Sequence, residues 1–163
     1  MRRRINDALR RLPVWVVWLG GMIPLALLVS DTFFGGLGID PVRDIEYRLG
    51  RTALYFLIAS LAVTPLLRIA GISLMRFRRA LRLICFTYAG LHVLSWLALD
   101  MGFLWAQMAR DIVKRPYLLF GMVAFTLLTA LAVTSNNLSI RRMGAQGWRN
   151  LHKLVYVAAP LVA

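Results

Sequence analysis

Charged residues cut the chain into long uncharged apolar runs. Arg11 and Asp31 enclose residues 12–30, Arg51 and Arg68 enclose 52–67, Arg82 and Asp100 enclose 83–99, and Arg115 and Arg141 enclose 116–140. After Lys153 the chain is apolar through 154–163. A bilayer core takes ~20 apolar residues per helix, with a range of ~17–25. The first, third and fourth runs, of 19, 17 and 25 residues, fit. The second has 16 residues and needs Arg51 or Arg68 to reach for the interface. The pattern predicts an all-α polytopic membrane helix bundle in one domain, 1–163. It has four full transmembrane helices and a partial fifth. Pro24 and Pro65 are tolerable kinks in membrane spans. Trp15, Trp18, Trp96, Trp105 and Tyr117 read as interfacial anchors.

The fifth run is anomalous. Its ten residues make about 15 Å of helix, half a bilayer. Ending there would leave carbonyls unsatisfied in hydrocarbon. The chain is therefore expected to continue, and the domain to be cut within its fifth helix. At the other end, Met1-Arg2-Arg3-Arg4 before an apolar stretch imitates a signal peptide. The run is longer than the ~7–15 residues of a signal core, and no A-x-A-like site precedes Asp31. A retained first helix is expected.

Basic residues orient the spans. Arg2, Arg3, Arg4, Arg10, Arg11, Arg68, Arg76, Arg78, Arg79, Arg82, Arg141, Arg142, Arg149 and Lys153 fall on one side. Arg43, Arg48, Arg51, Arg110, Lys114 and Arg115 fall on the other. The positive-inside rule places the first set, and the N-terminus, in the cytoplasm. The inner segments hold one acid, Asp7, and so carry the entire net charge of +13. The outer six bases are balanced by six acids.

Such a charge, with a pI near 11.5, taken alone suggests a nucleic-acid binder. The composition rules it out as the first reading. The chain is 60% hydrophobic and 17% charged, with a mean hydropathy of +0.67. Soluble domains hold ~45–50% apolar and ~25% charged residues. Cys85 is the one cysteine, so neither a disulfide within the chain nor a cysteine-based zinc or iron–sulfur site can form. Its expected role is a small buried apolar residue. No Gly-rich phosphate loop, nucleophile elbow or HExxH occurs. No Asp or Glu lies inside a span, which argues against a proton or cation pump.

Two histidines remain as candidates. His92 lies mid-way along the third span, about 15 Å from Arg82. Its helical neighbours Cys85, Tyr88, Ala89, Ser95 and Trp96 form a small, weakly polar face. Two readings stand: a hydrogen bond to another helix, or a cofactor ligand. His152 starts the fifth run at the cytoplasmic interface, where a solvated histidine in a basic loop is the plainer reading. Arg78 is either topogenic charge or the partner of an anionic cofactor group. Histidine is a common axial ligand of haem, and this donor inventory suits haem best.

Residue order adds a resemblance. The matching stretches are Leu61-Ala-Val-Thr-Pro-Leu66, Arg76-Phe-Arg-Arg79 running on to Tyr88-Ala-Gly-Leu-His92, Lys114-Arg-Pro-Tyr117 with Gly121, Thr134-Ser135, and Trp148-Arg-Asn-Leu-His-Lys-Leu-Val-Tyr156. From about Pro41 onward the chain resembles the haem-binding membrane subunits of the bacterial periplasmic methionine sulfoxide reductase system, part of the ferric-reductase-like transmembrane group. The resemblance implies a b-type haem between the helices, with FMN as a further cofactor. It implies electrons taken from quinol or a cytoplasmic flavin reductase. They would pass to a periplasmic molybdopterin-containing reductase subunit, with no substrate chemistry in this chain. It assigns haem iron to His92 and His152 and a basic position near the haem to Arg78. It also implies a further histidine thirteen residues beyond His152, outside this sequence. By depth that residue and His92 would share one haem, and His152 would serve a site nearer the cytoplasm. An anchor or a transporter with structural histidines is the alternative.

Overall fold

The computed structural model describes residues 2–162. Met1 of the basic N-terminal run and Ala163 of the fifth apolar run lie outside the described residues. Among the described residues every regular element is helical. Four helical segments are long and apolar enough to cross a membrane: Trp15–Phe34, Pro41–Ala70, Met75–Asp100 and Pro116–Val133. The chain packs as two compact units, Met1–Tyr88 and Ala89–Ala163.

In the first unit, α1 (Arg2–Arg11) is a short basic helix. α2 (Trp15–Phe34) follows and ends at Gly35, whose N–H bonds to the Asp31 carbonyl. α3 (Pro41–Ala70) begins where Asp40 accepts from the Arg43 N–H at 3.2 Å and Pro41 occupies the first turn. Gly71 closes it, with its N–H on the carbonyls of Leu66 and Leu67. Charge flanks place the second span at 52–67, but the helix has 30 residues. That is about 45 Å, against a hydrocarbon core of about 30 Å. Flanking charges mark where hydrocarbon begins, whereas the Asp40–Pro41 cap marks where the helix begins. The helix thus outruns its apolar run at the N-terminal end, while the 16 uncharged residues still leave Arg51 or Arg68 to reach for the interface. Arg43, Asp44, Glu46, Arg48 and Arg51 occupy the extra turns. There Arg48 bonds Asp31 at 2.5 Å, Asp44 at 3.1 Å and the Gly36 carbonyl at 3.3 Å, tying the ends of α2 and α3.

α3 buries Leu49, Ala53, Leu57, Ser60 and Val63, one stripe at helical spacing. α2 buries only Gly21 and Leu28. Its exposed Trp15, Leu19, Ile23 and Leu27 form an apolar surface, as expected of a helix long and apolar enough to cross a membrane. A 3-10 turn, Met75–Phe77, leads into α4 (Arg78–Ser95). Two features fix α4 on α2. Gly21 lets the backbones approach: a Cβ there would sit 2.8 Å from Ile84 Cδ1, and Ile84 is fully buried. The Tyr88 hydroxyl donates to the Gly21 carbonyl at 2.6 Å and accepts from the Leu25 N–H at 2.9 Å. Those two groups would pair with each other in an unbroken helix. Pro24 lies inside α2 next to this rung, where its ring crowds the helical backbone, and the phenol serves both groups. The Tyr88 ring stacks on Phe56 of α3, centroids 5.8 Å apart.

In the second unit, the end of α4 widens into a π turn, Trp96–Asp100. α5 (Trp105–Lys114) is a short helix that packs on α6 (Pro116–Val133), burying Met108. The fourth apolar run, 116–140, thus ends its helix early, at Val133. Asn136 caps a new helix, α7 (Asn137–His152), accepting from the Ser139 N–H at 2.7 Å. α7 is broken at Gly144, whose φ of 72° and ψ of 158° belong to a region that only glycine enters readily. α8 (Val155–Val162) packs along α6, where Ala124 and Ala158 are fully buried.

Candidate functional site

His152 is the last residue of α7 and is 6% exposed. This corrects the expectation of a solvated interfacial histidine at the start of the fifth run. The cause lies at the break in α7. Gly144 lets the arm 145–152 turn back onto the end of α6. Trp148 then docks that arm, its indole N–H donating to the Thr134 carbonyl at 2.9 Å. One turn later the imidazole stacks on Trp148, ring centroids 3.9 Å apart and planes at 25°.

Both ring nitrogens face acceptor-capable atoms. Nδ1 lies 3.1 Å from the Trp148 carbonyl, which can only accept, so Nδ1 carries a proton. Nε2 lies 3.3 Å from Ser135 Oγ. In the neutral ring Nε2 is therefore the basic nitrogen. Ser135 Oγ is also 2.7 Å from the Leu131 carbonyl. One hydroxyl proton cannot serve Nε2 and that carbonyl together. The cluster thus has two satisfied arrangements: a neutral ring accepting from Ser135, or an imidazolium donating to it. An Nδ1–H held by a backbone carbonyl is the arrangement that orients histidine as a metal ligand through Nε2.

His92 is half-buried on α4, and its carbonyl accepts from Ser95 Oγ at 2.9 Å. The π turn begins four residues later and is closed by the Met101 N–H on the Trp96 carbonyl at 2.9 Å. Such π segments recur at functional sites, and nothing in the apolar pattern announces this one. Of the small face around His92, Cys85 and Tyr88 are buried, and the Tyr88 hydroxyl is committed to α2. Arg78 belongs to the first unit and opens α4. It is half-buried, and its Nε is shielded from solvent without a hydrogen-bond partner. Among the described residues no three His, Cys, Asp or Glu side chains gather as a metal-ion cluster.

The residues that sequence reasoning missed at His152 are Ser135 and Trp148 as its contacts, and Gly144 as the break that brings them together. Both contacts lie in stretches that carry the resemblance. Their pairing depends on the fold of α7 back onto α6.

A family model described as "Ferric reductase like transmembrane component" matches residues 49–163. The chain belongs to this family, and with its four spans it is a multi-pass membrane protein. It is 44% identical over 145 residues to the protein-methionine-sulfoxide reductase heme-binding subunit MsrQ of Brucella ovis. The match covers 89% of this chain and 66% of that protein. The MsrQ proteins of Brucella canis and Brucella suis match to the same extent. The chain therefore spans 66% of the length of these curated relatives. No solved structure matches it.

Proposed function

We propose that this chain belongs to a haem b-containing electron-transfer subunit of a bacterial inner membrane, with its N-terminus in the cytoplasm. Electrons would enter from quinol or a cytoplasmic flavin reductase. They would leave to a periplasmic molybdopterin-containing methionine sulfoxide reductase. The observation that carries this reading is the buried, carbonyl-oriented His152 in a chain similar to proteins named as haem-binding MsrQ subunits.

The residues present fit the group. His152 offers Nε2 once Ser135 turns its hydroxyl to the Leu131 carbonyl. His92 is a half-buried imidazole within a span. Arg78, in the first unit, has a shielded Nε–H with no acceptor, and its part in holding a propionate rests on the sequence resemblance. Haem supplies reversible one-electron transfer when bound. The chain's own work would be to hold the His152 ring in one tautomer and to exclude water around it. FMN rests on the sequence resemblance alone, and flavin extraction from the purified protein decides it.

A second reading draws on the same contacts. Ser135 and the Trp148 carbonyl satisfy both nitrogens of His152 with no ligand, as a structural latch in an anchor or transporter would. The visible spectrum of the full-length protein, in membranes and purified, separates the two. The proposal expects a haem band that shifts on reduction and is weakened in His92→Ala and His152→Ala variants that still fold. Absence of any haem band from the histidine-intact protein sinks it.

A further inference from the structure

α1 carries Arg2, Arg3, Arg4, Arg10 and Arg11, all exposed, with Asp7 its one acid. Ile5, Asn6 and Leu9 are half-buried, on the face that also carries Arg2 beside Gly71, and Arg3, Arg4 and Arg11 lie on the opposite face. The Asn6 side chain clamps the helix to the segment after α3. Its Nδ2 donates to the Gly71 carbonyl at 2.9 Å, and its Oδ1 accepts from the Ser73 N–H at 3.0 Å. A second tie lies at the other end, where the Arg76 guanidinium donates to the Arg10 carbonyl. The helix is thus held at the end of α3, and three residues join it to α2.

A loose basic tail would spread its charges in water. Here the backbone is pinned and the like charges are kept together, which costs self-repulsion that the single Asp7 offsets only in part and an external anion relieves further. At the ends of membrane-spanning helices the abundant anion is the lipid phosphate. We propose that α1 is a docking surface for anionic lipid headgroups, with Arg2, Arg3, Arg4, Arg10, Arg11 and Arg76 as the phosphate contacts.

The test uses the whole protein, delipidated in a nonionic detergent and titrated with phosphatidylglycerol or phosphatidylcholine. Bound lipid is counted by native mass spectrometry, and the thermal midpoint is followed. Phosphatidylglycerol is expected to be retained and to raise the midpoint, phosphatidylcholine to do neither, and salt to weaken the effect. Each arginine near an anionic surface is worth about fivefold in affinity. The triple variant Arg3→Gln, Arg4→Gln, Arg11→Gln should therefore lose about 100-fold. Asn6→Ala keeps every charge and should still weaken binding, because it frees the helix. Circular dichroism checks that each variant folds, and if the triple variant does not, Arg3→Gln alone should lose about fivefold. Equal binding of phosphatidylcholine, parental affinity in the arginine variants, or competition by inorganic phosphate as strong as by the lipid would overturn the proposal.

Discussion

Replacing Tyr88 by Phe removes one oxygen and leaves the ring on Phe56. That oxygen serves the Gly21 carbonyl at 2.6 Å and the Leu25 N–H at 2.9 Å, and Tyr88 is 1% exposed. Leaving a buried polar group open costs about 1–3 kcal/mol. In membranes the unfolded reference also finds partners, and measured interhelical bonds average about 0.6 kcal/mol with a maximum near 1.7. Two bonds at that scale give about 1–3 kcal/mol. The loss would be small if α2 could straighten and pair Gly21 with Leu25. Pro24 opposes this, because its ring crowds the carbonyl four residues earlier. The cost of Tyr88→Phe should therefore shrink by about 1 kcal/mol in a Pro24→Ala background. Titration of the four proteins from mixed micelles into sodium dodecyl sulfate, followed by far-ultraviolet circular dichroism, measures this cycle. Equal losses with and without Pro24, or a loss below about 0.5 kcal/mol, would refute the reasoning.

Other outcomes follow from the same geometry. Gly144→Ala forces a side chain into a conformation that costs about 1–3 kcal/mol, and should lower both the thermal midpoint and the protection of the 145–152 amides from hydrogen exchange. An unchanged exchange pattern would show that the break does not depend on glycine. Gly21→Ala should destabilise by about 1–3 kcal/mol through overpacking against Ile84. Ile84→Val, which removes Cδ1, should recover part of that loss, and a purely additive double variant would count against close packing at this point. Asp31→Asn should cost less than about 1 kcal/mol in the same titration, because the Arg48 pair is half-open to solvent. A larger loss would mean that the pair is shielded in the bilayer.

Much of the fold was legible because charge cannot enter hydrocarbon. Arg115 and Pro116 mark the start of α6 at the residue where it begins. The same rule is blind outside the hydrocarbon. It missed α5, α7 and the first turns of α3, although Asp40–Pro41 and Asn136 with Ser139 are cap signals written in the sequence. The candidate site was half legible. His152 stood out by residue order, but its burial was not visible. Burial requires Gly144 to break α7 and Trp148 to reach the Thr134 carbonyl, and both are tertiary events. Tyr88 was read as part of the face around His92. Its hydroxyl instead answers a backbone defect in another helix, which no pattern local to α4 encodes.

The shared rung between α2 and α4 also has a consequence for biogenesis. α2 leaves the ribosome with a proline-disturbed backbone, and the phenol that completes it is encoded sixty-three residues beyond Leu25. Until α4 arrives, the carbonyl of Gly21 and the amide of Leu25 need water or a chaperoning surface, which the lipid interior does not offer. The early chain is thereby biased to wait beside the insertion machinery, and the two spans to enter the bilayer as a pair. Nascent chains arrested before Tyr88 should crosslink to the insertase through α2. Longer chains should release it, and equal crosslinking at both lengths would exclude this order of assembly.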